Sequence, residues 1–166
     1  MSKDEIREIA AIVGGDNTYR HFVRRINKEF EDADEERNAN VYVIFIESGS
    51  GKRIGFSVIG SSPTKMRFWL KTFKEEGWVP RDFLMSQNSL ELMYMYLKPG
   101  FRKKGYGTEL FARTMSFVKS KKADEVYAYI GDRSKEGLDF YKDMHAEIIS
   151  DFSDSEAASA LLRWKI

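Results

Sequence analysis

The sequence predicts a mixed α/β fold built around one sheet, and three observations carry that reading. Two β-branched and aromatic runs, Val41–Ile46 and Ile54–Ile59, flank a Gly-Ser-Gly turn and read as a hairpin. A longer run, Leu90–Leu97, is apolar on both faces and passes through a basic glycine loop into a helical pattern. Strand-like and helix-like segments then alternate to the C-terminus, an order that suits helices packed on one sheet.

Taken in order, Ser2–Val13 predicts a helix, because Ser2 and Glu5 form a capping box and Ile6, Ile9, Ala10 and Val13 share a face. Gly14-Gly15-Asp16 breaks it. A second helix is expected from Thr18 to about Arg37, with Phe22, Ile26 and Phe30 inward. The hairpin follows. Lys65–Trp78 is helix-like, striped by Phe68, Trp69 and Phe73, and Val79–Ser89 reads as irregular around Pro80. Strand Leu90–Leu97 ends at Pro99-Gly100, since proline donates nothing to a ladder. A helix is predicted over Thr108–Lys121, a strand over Val126–Ile130 and a turn at Gly131–Ser134. A short helix over Lys135–Asp143 precedes a final strand pair, Glu147–Phe152 and Ala160–Ile166.

Composition narrows the function. The 166 residues read as one domain with a sizeable core. A net charge of +1 gives nucleic acid and membrane surfaces no bulk electrostatic attraction, so neither is expected as a partner. The absence of cysteine excludes disulfides and a thiol nucleophile, and suits a cytoplasmic location. With two histidines, a multi-histidine metal centre is not expected. No leader-like stretch and no bilayer-length apolar run is read.

The chemistry concentrates in Arg102-Lys103-Lys104-Gly105-Tyr106-Gly107-Thr108. The first amides of a helix have no intrahelical acceptor and sit at the positive end of its dipole. Glycines there let backbone approach a phosphate, and three cations add charge; a glycine-and-lysine loop taken alone reads equally as a solvated basic turn before an ordinary helix. Two familiar phosphate loops fail. Leu110 stands where a dinucleotide fingerprint needs its third glycine, and Gly107 is followed by Thr108-Glu109 rather than the Walker Lys-Ser/Thr. Gly49–Arg53 lacks the Walker glycine at Ile46 and the Ser/Thr after Lys52, and reads as the hairpin turn.

The pattern that does match is Arg-x-x-Gly-x-Gly between an apolar strand and a helix. The string Leu97–Gly107 resembles the strand-and-loop signature of the GCN5-related N-acetyltransferases, the GNAT superfamily. The resemblance runs from Thr18 to the C-terminus. It implies a mostly antiparallel sheet flanked by helices and splayed after the long strand, with an extra helical segment at about 61–89. It also implies acetyl-CoA as cosubstrate, with no metal, and direct transfer to a primary amine in a ternary complex.

Carried over residue by residue, backbone at Leu97 and Lys98 would pair with the pantetheine arm. Arg102, Lys103, Lys104, Gly105, Tyr106, Gly107 and Thr108 would hold the diphosphate. Ser134 would contact the cofactor or serve as a plain N-cap. Tyr141, where the family tyrosine falls, would be the general acid for the departing thiolate, or a core tyrosine beside Phe140. Glu91 would be the base that deprotonates the amine, its carboxyl raised by burial, or a strand-end charge facing water.

The sequence departs from the family in four places. A helix replaces an initial strand, Ser134 replaces an asparagine, His145-Ala146 replaces Gly-Phe, and Ser61–Ser89 replaces a tight turn. That last segment is the expected source of acceptor specificity, as a lid or as an added helix. Its aromatics from Trp69 to Phe83 offer a homodimer surface. The resemblance implies a small-molecule or peptide amine as acceptor, and the sequence does not reveal which. The alternative is a non-catalytic acyl-CoA sensor or interaction module of the same fold.

Overall fold

A computed structural model describes residues 1–16, 20–35, 40–61, 63–130, 135–151 and 160–166. Its elements are α1 (Lys3–Val13), α2 (Arg20–Glu35), β1 (Asn40–Glu47), β2 (Arg53–Ser61), α3 (Pro63–Glu75), β3 (Ser89–Leu97), α4 (Tyr106–Ser120), β4 (Glu125–Ile130), α5 (Lys135–Asp143), β5 (Glu147–Asp151) and β6 (Ala160–Lys165). A single 3-10 turn, Pro99–Phe101, follows β3. The six strands run β1-β2-β3-β4-β6-β5 in one mostly antiparallel sheet. The expected fold class and element order are those observed.

The chain divides into two compact units, Met1–Ser62 with Met93–Phe117, and Pro63–Leu92 with Val118–Ile166. β3 contributes to both. In the first unit, the Ser2–Glu5 capping box forms as expected, with Ser2 N–H on Glu5 Oε2 at 2.6 Å and Glu5 N–H on Ser2 Oγ at 3.2 Å. The β1–β2 hairpin pairs Asn40 with Ser61 and runs to Glu47 with Arg53. Ile9, Ile12, Val13 and Ile26 from α1 and α2 bury against Val41, Phe56, Val58 and Tyr96. The side chains of Phe22 and Phe30 lie outside the described residues, as does the expected extension of α2 to Arg37.

A second cluster in that unit, Ile46, Ile54 and Leu110 with Met95, Leu97, Phe101 and Tyr106 packed around it, anchors the loop after β3. The buried Thr114 hydroxyl is satisfied twice, on Leu110 O at 2.8 Å and Ser57 Oγ at 2.6 Å. That satisfaction fixes α4 against β2 without leaving a buried polar atom unpaired. Gly55 of β2 has no room for a Cβ, which would stand 2.5 Å from Leu97 Cδ2 and 2.6 Å from Tyr96 O.

In the second unit, β3 pairs with β4 in parallel over Ser89–Glu91 and Glu125–Tyr127. β4 and β5 flank β6 in antiparallel register. The aromatics of the 61–89 segment belong largely to this core. Met66, Phe73 and Val79 are buried with Tyr127 and Leu161, and Trp69, Trp78 and Phe83 pack against them. Phe68 and Leu84 remain exposed. Tyr127 donates to Glu125 Oε2 at 2.5 Å, and Arg163 spans Glu125 at 3.3 Å and Glu147 at 2.8 and 2.9 Å. The Arg163 hydrogen bonds hold the Glu147 carboxyl below its usual range.

Two helix boundaries differ from expectation for local reasons. α3 starts at Pro63, a residue suited to the first helical position because its missing N–H had no partner there. It ends at Glu75, before Trp78, because Gly77 takes φ 71° and Trp78 N–H turns back to Phe73 O at 2.8 Å. α4 begins at Tyr106, ahead of Thr108, since Glu109 N–H already reaches Gly105 O at 3.1 Å.

Candidate active site

The loop from Leu97 to Thr108 lies within the first unit and is built from both ends. Phe101 and Tyr106 meet edge-on at 6.0 Å and insert beside the Leu110 cluster, which pins the loop's apolar side. Between them the backbone alternates, with Lys103 at φ 57° and Gly105 at φ 86°. Alternation of this kind is the backbone geometry that can turn successive amides toward one side. Lys103, Lys104 and Gly105 are exposed. Among the described residues no protein group accepts from the amides of Gly105, Tyr106, Gly107 and Thr108, which precede the first donor of α4.

The other loop groups are already engaged. Lys104 Nζ caps Gly100 O at 2.8 Å. Lys98 N–H donates to Ile54 O at 2.9 Å. Arg102 Nε donates to Leu97 O at 3.0 Å, and its Nη2 lies 3.9 Å from Asp16 Oδ2. The Tyr96 hydroxyl also donates to Asp16 Oδ2, at 2.9 Å. A depression of about 430 Å³ opens there, lined by the C-terminal turn of α1, Asp16, Tyr96, Lys98 and Pro99.

Glu91 and Tyr141 belong to the second unit. Glu91 is 5% exposed, so it does not face water as a strand-end charge. Lys65 of α3 reaches its carboxylate, with Nζ 3.1 Å from Oε2 and 3.3 Å from Oε1. The same ammonium lies 5.0 Å from the centre of the Trp69 ring. Tyr141, on α5, is half-buried. Its ring lies edge-on to Trp164 at 5.5 Å and Phe140 at 5.4 Å. Burial pushes its phenol well above the usual range, so the hydroxyl keeps its proton. Ser134 lies outside the described residues.

The structure thus brings Leu97, Lys98 and Arg102–Thr108 together on one loop, whereas Glu91 and Tyr141 each have their own surroundings. Sequence reasoning missed Asp16, Lys65 and Gly55. Asp16 meets Tyr96 across 80 residues and Lys65 meets Glu91 across 26, and no local pattern signals either. Gly55 carried a signal, a glycine inside an apolar strand, which marks close backbone approach.

Among described residues no group of three or more metal-ligating side chains gathers, and no helix is long and apolar enough to cross a membrane. The strand, the basic glycine loop and the α4 N-terminus define the class of protein. Residues 7–146 match the model of the Acetyltransferase (GNAT) family, and the chain belongs to that family. No curated protein sequence matches it.

Solved structures show the same fold. A Desulfovibrio desulfuricans protein described as a GNAT-family acetyltransferase aligns with TM-score 0.69 at 10% identity, over 99% of this chain and 94% of its own. The PaiA N-acetyltransferase of Thermoplasma acidophilum, in complex with coenzyme A, aligns with TM-score 0.60 at 15% identity, over 100% and 96%. A GNAT acetyltransferase of Elizabethkingia anophelis with acetyl-CoA bound aligns with TM-score 0.53 at 15% identity, over 84% and 82%.

Proposed function

We propose that this protein is an N-acetyltransferase that moves an acetyl group from acetyl-CoA to a primary amine, small or peptide-borne. The observation that carries the reading is the set of uncommitted amides at Gly105–Thr108, beside Lys103 and Lys104 at the positive end of α4. These residues fit a diphosphate: four successive backbone donors have no acceptor in the described protein, the loop is largely exposed, and the adjacent cations match its charge. Acetyl-CoA supplies a thioester whose acyl carbon is open to an amine.

The chain's own residues do the proton work. An ammonium is not a nucleophile, so a proton must leave before attack. Glu91 is the proposed acceptor of that proton; its carboxylate already binds an alkylammonium, that of Lys65. Tyr141 is the proposed donor to the departing thiolate. Burial raises that phenol, so Oη keeps its proton at neutral pH and can hydrogen-bond the developing thiolate; the same shift makes it a weaker acid than a solvent-exposed tyrosine. Transfer is direct, and no enzyme nucleophile is needed.

A second reading, an acyl-CoA-binding sensor without turnover, is favoured by one observation. Lys65 occupies Glu91, so the amine must displace it or share it. Thiol release from acetyl-CoA across a panel of small and peptide amines separates the two. The enzyme reading expects turnover that falls about a hundredfold or more in Tyr141→Phe and disappears with CoA binding in Gly107→Glu. CoA binding with no turnover of any amine would leave the sensor. No CoA binding would end both.

A further inference from the structure

Arg102 is the first residue of the glycine-loop pattern, and a cation there invites the role of phosphate ligand. Its surroundings in the first unit point elsewhere. The Nε–Nη2 edge of the planar guanidinium is turned back onto the protein, with Nε on Leu97 O at 3.0 Å and Nη2 facing Asp16 Oδ2 at 3.9 Å. The guanidinium carbon lies 5.8 Å from the centre of the Tyr96 ring. The Tyr96 hydroxyl in turn donates to the same Asp16 oxygen at 2.9 Å. Asp16, Tyr96 and Arg102 therefore meet in one polar cluster around the end of β3.

The cluster has a definite target, the peptide group between Leu97 and Lys98. Its carbonyl accepts from Arg102 Nε, and its N–H donates to Ile54 O at 2.9 Å. Both ends of that peptide plane are thus fixed by the protein. An arginine that left to grip a diphosphate would release the carbonyl and give up its 3.9 Å approach to the Asp16 carboxylate, which is only 16% exposed. The amides of Gly105–Thr108 need no such help, because no described protein group accepts from them at the start of α4.

The geometry points to Arg102 as a positioning residue: it sets the Leu97–Lys98 peptide, where the pantetheine arm would lie, and leaves the diphosphate to the Gly105–Thr108 amides and the neighbouring lysines. This rests on the acyl-CoA reading above. Charge is then secondary at position 102, and a donor at the Nε place is what matters.

Three substitutions separate these roles. Glutamine carries its amide nitrogen the same number of bonds from the backbone as arginine carries Nε, so Arg102→Gln keeps the bond to Leu97 and removes the charge. Arg102→Lys keeps the charge and puts a carbon at that place. Arg102→Ala removes both. Binding of CoA, and of ADP as a diphosphate probe lacking pantetheine, is measured by calorimetry on proteins shown by circular dichroism to be folded.

The expected result is CoA affinity within about threefold of wild type for Gln, and a loss of about tenfold for Lys and Ala, the size of one charge-assisted hydrogen bond. ADP affinity should change less than about twofold in Lys and Ala. If Lys binds CoA as well as or better than Gln, or if ADP and CoA weaken in parallel in Ala, Arg102 is a phosphate ligand and the inference is overturned. A wild-type protein that binds neither CoA nor ADP would instead refute the acyl-CoA reading itself.

Discussion

His145 holds the left-handed conformation that ends α5. Its φ is 60°, and Ala146 N–H closes back on Tyr141 O at 3.0 Å, the long-range bond of a Schellman end. A residue with a Cβ is strained there by about 1–2 kcal/mol, and glycine's greater freedom in the unfolded chain offsets about half of any relief. His145→Gly is therefore expected to stabilise the protein by up to about 1 kcal/mol, read from the denaturant midpoint. A midpoint that falls would mean the imidazole makes a compensating contact. The sequence marked this position as a departure from the family's glycine. What it could not show is that the helix end is made anyway, because the geometry is imposed by the α5 hydrogen bonds and tolerated by the side chain.

At the scale of elements, the approach of β2 to β3 is the feature most exposed to a single change. A Cβ at Gly55 would collide with Tyr96 O at 2.6 Å, and backbone cannot move aside as a side-chain tip can. Gly55→Ala is expected to cost about 1–3 kcal/mol by overpacking and to weaken CoA binding by displacing Leu97. Equilibrium unfolding and calorimetry on the same variant test both parts; full stability with full affinity would refute the claim. Strands and caps were legible because their signals are local: β-branched alternation in Val41–Ile46, Ser2 with Glu5 at the start of α1. The junction from β3 through the glycine loop into α4 was legible for the same reason. The partners of Glu91 and Arg102 were not, since Lys65 and Asp16 sit on segments whose own patterns specify a helix stripe and a helix break.

Across the whole molecule, a ligand that binds only the folded chain stabilises all of it. CoA at a hundredfold excess over its Kd should add about 2.7 kcal/mol, or roughly 5–11 °C in Tm for a chain of this size. A thermal scan with and without CoA tests this, and Gly107→Glu should abolish the shift. An unchanged Tm at saturating CoA would contradict binding to the native state. Element order and sheet architecture were readable along the chain. The division into two compact units was not, because neither is continuous: each is assembled from two separated stretches, so no composition shift or linker marks the boundary.

The parallel pairing of β3 with β4 also bears on how the protein is made. Antiparallel neighbours join through a short hairpin, but this ladder closes only after the chain has passed through the loop and α4 to Tyr127. During synthesis the glycine loop therefore leaves the ribosome before β4, the parallel partner of the start of β3, exists. The loop's own anchors, Ile54 O and the Leu110 cluster, all precede β4 in the chain, so the loop can set before the β3–β4 pairing closes.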